Sequence, residues 1–369
     1  MIEAKTALIP VDTLQSFMQD VFIKLGTPPE EAKICAEVLI TADLRGIESH
    51  GVGRMMYYYE RIKKGQHKPI TDFEVVREGP ATAVVDGHHG MGMIIGMRAM
   101  QMAIDKASIY GMGSVAVRNS THFGIDGYYA MMAAKAGMIG MSFTNARPAI
   151  APTFGVQPML GTNPIAFACP TDEECMFVFD GATSITQRGK FEVLARAEQP
   201  AKEGWVVGPD GQFITDPNLV LSGLGKDTAA LLPLGGQGEE LGGYKGYDLA
   251  TVVEILSASL QNGAFLHGLL GFDANGGPAP FRLGHFFMAI NIESFVSLDE
   301  FKTTTGKILR ELRASTKAPG CGRIYTAGEK EFEMEKYVRV HGVPANTNLQ
   351  KDIRTIQKEL GLTNYDFPF

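Results

Sequence analysis

The chain has little of what usually assigns a protein quickly. Its 369 residues include only four cysteines, Cys35, Cys169, Cys175 and Cys321, with no CxxC pair and no histidine at finger spacing. Neither a disulfide scaffold nor a zinc finger is written here, and a reduced, cytoplasmic setting is expected. Basic charge is also scarce. Thirty-four Lys and Arg against 41 Asp and Glu leave a formal charge of −7, and the longest cationic cluster is Arg61 to Lys64. That argues against nucleic acid as a partner. A signal peptide is not expected, because Glu3 stands where a basic segment would be and Pro10 interrupts the apolar stretch. The longest uncharged run, Pro148 to Thr171, carries five prolines, so it reads as loop and strand and not as a membrane helix. There is no HExxH pattern, so no metal site is expected, and Gly225-Lys226 runs into Asp227, which excludes a P-loop.

What the chain does have is glycine, 43 residues of 369, marking many positions where the backbone turns or is closely approached. The first 65 residues read as helices. Leu14, Phe17, Met18, Val21, Phe22 and Leu25 recur at helical spacing, Thr27 and Pro28 are expected to open a second helix, and Ser49 is expected to cap a third that carries Met55, Met56, Tyr58, Tyr59 and Ile62. From Phe73 the texture becomes α/β. A hairpin (Phe73 to Arg77, Thr82 to Asp86) is followed by helix Met93 to Tyr110, strand Ser114 to Arg118, helix Asp126 to Ala136 and strand Ile139 to Phe143. Strands at Ile165 to Cys169, Met176 to Asp180 and Phe286 to Ile290, a helix at Tyr247 to Gln261 and an irregular stretch from Thr183 to Pro233 complete the pattern, with helices filling most of the remainder.

Several segments could carry chemistry. Gly90, Gly92 and Gly96 form a GxGxxxG after a strand, a weak nucleotide signal because three residues separate strand and first glycine. In Ser49-His50-Gly51-Val52-Gly53-Arg54, a helix capped by Ser49 would put His50 and Arg54 on one face. A neutral imidazole there suits a general base, and the guanidinium suits a carboxylate clamp. The alternative is a solvated helix start. His122 lies in the polar loop Asn119 to Gly124 after a strand, where α/β sheets place ligands, although Asn119, Ser120 and Thr121 could equally be helix caps. Asp180-Gly181-Ala182-Thr183-Ser184 ends a strand with one acid and small residues. The glycine-rich run Gly235 to Gly246, with Lys245 at a helix start, could hold a phosphate or be a surface loop.

Together these segments resemble the type 2 malate/L-lactate dehydrogenase family, which includes L-sulfolactate and ureidoglycolate dehydrogenases. The resemblance rests on Ala42 to Gly51, Asn119 to Gly124, Gly161 to Pro164, Asp180 to Ser184 with Arg188-Gly189-Lys190, Leu232 to Gly236, Lys245-Gly246 and His285-Phe286-Phe287, in that order along nearly the whole chain. The Glu239-Glu240-Leu241 insertion looks most like archaeal-type malate dehydrogenases. The resemblance implies a non-Rossmann, mixed-sheet domain (residues 73–295) that binds NAD or NADP. A helical part would come from residues 1–72 together with 296–369, and the protein would be a homodimer acting on a small carboxylate substrate. It also implies hydride exchange with a 2-hydroxy or 2-oxo acid, most simply malate and oxaloacetate. A cyclic imino-acid reductase or ureidoglycolate-type dehydrogenase is the related alternative, and a nucleotide-binding protein without turnover the unrelated one. By resemblance, His50 and His122 are the catalytic histidines, with Ser49 beside them, and Arg54 binds the substrate carboxylate. Asp180 is expected to orient a histidine or the nicotinamide side of the pocket. Coenzyme contacts fall on His122, Asp180, Gly181, Ala182, Thr183, Ser184, Lys245, Gly328, Glu329 and Lys330. The chain departs from the family at Gly181, usually Met, and at Ala146, often Ser, next to the charged Arg147.

Overall fold

The computed structural model describes residues 6–369 apart from 225 and 227. Strand β1 (Ala7–Ile9) leads into helices α1 (Val11–Lys24), α2 (Pro29–Leu44) and α3 (Met55–Lys63), the last entered through a 3-10 turn at Val52–Arg54. Then come β2 (Glu74–Glu78), β3 (Thr82–Asp86), α4 (Gly92–Tyr110), β4 (Met112–Ser120), α5 (Gly127–Lys135), β5 (Met138–Thr144), β6 (Ile165–Cys169) and β7 (Phe177–Gly181). The stretch expected to be irregular contains α6 (Arg188–Arg196), β8 (Val206–Val207), α7 (Pro217–Gly223) and β9 (Ala230–Leu231). After it stand α8 (Gly243–Ala258), β10 (Leu283–Asn291), α9 (Leu298–Ala314), α10 (Glu329–His341), β11 (Val343–Ala345) and α11 (Thr347–Leu360).

Seven strands form a mixed sheet in the order β2-β3-β4-β10-β5-β6-β7. Only β3 and β4 run parallel, joined by the α4 crossover; the other neighbours are antiparallel. A sheet with one parallel pair has no doubly wound half in which a nucleotide fingerprint would operate. The GxGxxxG glycines serve packing instead: a Cβ on Gly92 would lie 2.1 Å from the Thr121 carbonyl oxygen, and one on Gly96 would lie 2.8 Å from the Tyr129 ring. Arg118, at the end of β4, is paired with Asp86 at 2.8 Å.

The first and last segments of the chain meet. β1 pairs with β11, and Phe17 packs edge-on to Tyr365 and Phe367. One hydrophobic core continues from these helices through α4 and α5 to β4 and β10. Among the described residues no helix is long and apolar enough to cross a membrane.

Three local expectations are corrected. Thr27 does not cap α2; Pro28 does, because a residue before a proline is held extended, and Pro29 takes the first helical position. The Thr27 hydroxyl is buried without a partner. Ser49 does not cap α3 either, since Gly51 is non-helical and α-geometry begins only at Met55, so His50 precedes the helix and does not share a helical face with Arg54. The stretch expected to be irregular is partly ordered, and Asp216 caps α7 within it: its carboxylate accepts the Asn218 N–H at 2.8 Å.

Replacing Gly92 tests the close approach of α4 to the His122 loop. Gly92→Ala should cost about 1–3 kcal/mol in urea unfolding and lower activity, because the new methyl would push on the carbonyls of Thr121 and His122. Gly322→Ala, which meets nothing within 4 Å, should leave the unfolding midpoint in place.

Candidate active site

His50 and His122 come from separate parts of the chain and meet with ring centroids 5.6 Å apart, nearly parallel. Each is held by one nitrogen. His122 Nδ1 accepts from the Tyr58 hydroxyl at 2.6 Å and from the Gly124 N–H at 3.3 Å, so its proton belongs on Nε2. Tyr58 lies fully buried on α3. His50 Nδ1 is 2.8 Å from Ser49 Oγ. Arg54 is held beside them by donating from Nε to the Ser49 carbonyl at 2.6 Å.

Both imidazoles are kept neutral. Burial, helped by Arg54, lowers His50 to about 4. Burial, with His50, Arg54, His67 and His285 adding repulsion, holds His122 well below the usual histidine range. Enclosure is the main cause of the neutral His50, with the Arg54 charge second.

The loops are pinned from behind. His285 on β10 bonds Ser120 Oγ and Thr144 Oγ1, both at 2.7 Å, tying the three central strands together, and its ring stacks on Phe123 at 4.3 Å. The His50 loop rests on Asp43, whose Oδ2 accepts the Val52 N–H at 2.8 Å. This explains one glycine of the motif: a Cβ on Gly51 would sit 1.9 Å from Asp43 Oδ1. None of Tyr58, His285 and Asp43 is among the expected site residues. Tyr58 reads from sequence as one more apolar position of α3, and only the polar His285 and Asp43 amid apolar runs signal otherwise.

The residues expected at the coenzyme fall into two groups. Asp180 and Gly328 line one cavity of about 130 Å3, with Arg45, Ile47, Ile125 and Glu331. Asp180 lies exposed near the end of β7, along this recess. The surrounding protein raises its carboxyl to about 6, opposed by the Gly127 N–H that it accepts at 2.8 Å and by Arg45. Asp126 next door, buried and bonded to Ser142 Oγ, is raised well above the carboxylate range by burial and by Asp180. In the second group, Thr183 and Ser184 lie against Pro233 and Leu234, onto which the first turn of α8 with Lys245 packs. Gly181 and Ala182 link the two groups along the chain. The Glu329 carboxylate is committed to Arg313, Arg323 and Thr326, and Lys330 lies over Tyr325 at 4.9 Å. Gly189, at the start of α6, brings this side of the molecule beside Ser49.

Asp43 allows a test with a defined sign. Burial raises its carboxyl from 3.8 to about 8, so folding takes up a proton, and the stability linked to it is lost as pH rises from about 4 through about 8. Asp43→Asn keeps the acceptor and cannot ionise, so its urea midpoint should gain on that of the wild type between about pH 5 and 8. Asp43→Ala should lose about 1–3 kcal/mol at either pH, because the Val52 N–H is left unpaired.

Residues 9–354 match the malate/L-lactate dehydrogenase family. The malate dehydrogenase of Pyrococcus horikoshii is 44% identical over 96% of both chains, and the L-sulfolactate dehydrogenase of Methanocaldococcus jannaschii is 40% identical over 94% of this chain and 96% of its own. The crystal structure of malate dehydrogenase from Entamoeba histolytica superposes with a TM-score of 0.94 at 43% identity, covering 99% of this chain and 100% of that one. The order of motifs, the mixed sheet and the paired histidines thus have one common account: the chain belongs to the malate/L-lactate dehydrogenase family.

Proposed function

We propose that this protein, an NAD(P)-dependent oxidoreductase of 2-hydroxy acids by family, interconverts malate and oxaloacetate at the His50–His122 pair. The observation that carries the reading is the meeting of two neutral imidazoles beside Arg54. Oxidising a hydroxy acid needs an acceptor for the hydroxyl proton, a donor to orient the oxygen and a cation for the carboxylate. In this reading His50 carries its proton on Nδ1, 2.8 Å from Ser49 Oγ, which leaves Nε2 to accept the hydroxyl proton and return it in reduction. His122, with Nδ1 occupied by Tyr58 and Gly124, has Nε2–H to donate to the substrate oxygen. Arg54 anchors the 1-carboxylate.

The residues around Ser184 suit a dinucleotide. Its Oγ is buried with no partner, and the nearby start of α8 carries Lys245, a setting suited to a phosphate. NAD or NADP, held by Asp180 to Ser184, Lys245 and the Gly328 to Lys330 segment, supplies the two-electron chemistry. A cytoplasmic homodimer belongs to the same reading, supported by four unpaired cysteines and by Leu249, Val252 and Ile255 left exposed along α8. So does the division into a helical part (residues 1–72 with 296–369) and a coenzyme domain (73–295).

Absorbance at the reduced nicotinamide band, with malate, lactate, oxaloacetate, pyruvate and a cyclic 2-imino acid against both coenzymes, tests the assignment; a preference for the imino acid would refute it. His50→Ala should lower kcat about 10²- to 10⁴-fold, and retention of nearly full turnover by that variant while His122→Ala loses it would reverse the two roles. Because burial lowers His50 to about 4, it is almost wholly neutral above about pH 5. The kcat/KM for malate oxidation should therefore show no acid limb from this base down to about pH 5.

A further inference from the structure

Arg45 is a buried cation whose donors the chain leaves almost unused. It closes α2 as its C-cap, is only 8% exposed, and makes no hydrogen bond through its guanidinium to any described residue. Its one ion pair, with Glu335, stands at 4.0 Å, and that carboxylate is taken more closely by Arg339 at 2.5 Å. Enclosing a guanidinium is costly unless its N–H groups meet acceptors.

Arg45 also lines the recess of about 130 Å3 along which Asp180 and Gly328 lie. Asp180 uses Oδ2 to accept the Gly127 N–H at 2.8 Å, and no described residue donates to its Oδ1. Two glycines bring the walls together: a Cβ on Gly127 would lie 2.9 Å from Asp180 Oδ2, and one on Gly328, at φ +93°, would lie 3.0 Å from the Val178 nitrogen. Ile47, Ile125 and Met131 supply an apolar wall, and Glu331 a second acid. The recess borders the histidine pair, because the His50 N–H donates to the Ile47 carbonyl at 2.9 Å and Ile125 follows His122 by three residues.

A simple anion is a poor occupant, since it would meet Asp180 and Glu331 together with Arg45. A flat ring whose edge carries a carbonyl acceptor beside an amino donor suits all three surfaces, with oxygen to the cation, N–H to the acid and the ring against the isoleucines. The nicotinamide carboxamide is such an edge, and hydride exchange needs that ring next to the substrate held by the histidines.

We propose that Arg45 is a coenzyme-binding residue: its guanidinium donates to the carboxamide oxygen of the nicotinamide while Asp180 accepts from the carboxamide N–H, holding the ring in this recess beside His50 and His122. The inference rests on the reading of the coenzyme given above, adds Arg45 to it and names the end of the dinucleotide that the recess takes.

The test reads binding and not turnover. The reduced coenzyme that the wild type binds more tightly, NADH or NADPH, is titrated calorimetrically beside the matching ADP-ribose, which lacks the nicotinamide. Arg45→Met should weaken the coenzyme about 10- to 100-fold, the worth of one hydrogen bond to a charged group, and leave ADP-ribose within about twofold. Glu335→Gln, which removes only the ion pair, should leave both constants within about twofold. On the wild type, the reduced 3-acetylpyridine analogue, with a methyl in place of the carboxamide NH2, should bind at least about tenfold more weakly than the coenzyme itself.

Equal losses of coenzyme and ADP-ribose in Arg45→Met would put the adenosine half in the recess, and an unchanged coenzyme constant would leave Arg45 with its ion pair alone; either overturns the proposal. Equal binding of coenzyme and analogue by the wild type overturns it too, whatever the folding of any variant. If the wild type binds neither the coenzyme nor ADP-ribose, the coenzyme reading fails and this inference falls with it. If it binds both and only the Arg45 or analogue result goes the other way, the inference alone falls.

Discussion

The hydrogen bond from the Tyr58 hydroxyl to His122 Nδ1 is the point at which the helical and sheet parts of the molecule become one site. Tyr58 belongs to α3 and His122 to the loop after β4, 64 residues later. The bond sets the His122 tautomer and, by using up Nδ1, decides which nitrogen remains for a ligand. Much of the surrounding structure serves to keep the two partners in place. α4 can approach the His122 loop because Gly92 has no side chain, His285 locks the strands beneath that loop, and Asp43 holds the turn from which α3 departs. Small displacements at any of these points would reach the imidazole through a short chain of contacts.

Charge in the site follows from enclosure more than from pairing. His50, His67, His122 and His285 all sit far below the ordinary histidine range, and burial is the first cause in each case. Neutral rings let several nitrogens crowd beside Arg54 without repelling one another. Burial works in the opposite direction on an acid: the enclosed Asp126 is raised well above the carboxylate range, with the exposed Asp180 beside it adding repulsion. The interior thus suppresses the ionisation of its enclosed histidines and of Asp126 alike.

The alternation of helix and strand and the hairpin were legible in the sequence, because apolar periodicity records local geometry directly; His50, Arg54 and His122 stood out as polar residues in glycine-bounded segments, but their meeting is set by tertiary contact. Helix entry was less legible. Thr27 and Ser49 are good capping residues by composition, yet Pro29 and the Gly51 contact with Asp43 decided where each helix begins. The stretch from Thr183 to Pro233 hid two short helices and a two-stranded ribbon, whose small elements carry too few residues to show a period. Tyr58 was hidden for a different reason: an aromatic on a buried face looks the same whether or not its hydroxyl has a task, and its partner is set by tertiary contact alone.

The pairing of β1 with β11 brings Ala7 opposite Ala345. Helices made early in synthesis must therefore wait for nearly all of the chain before their layer can close, and α3, which carries Tyr58, packs against α11 as well. On the ribosome, β2-β3-β4 and β5-β6-β7 can each pair early, but the two halves cannot be joined until β10, the central strand, has been made. Closure over so long a span is slow, and it leaves the apolar faces of α1 and α2 exposed in the meantime. A nascent chain of this topology therefore keeps α1 and α2 open to non-native contacts until β11 and α11 have been made.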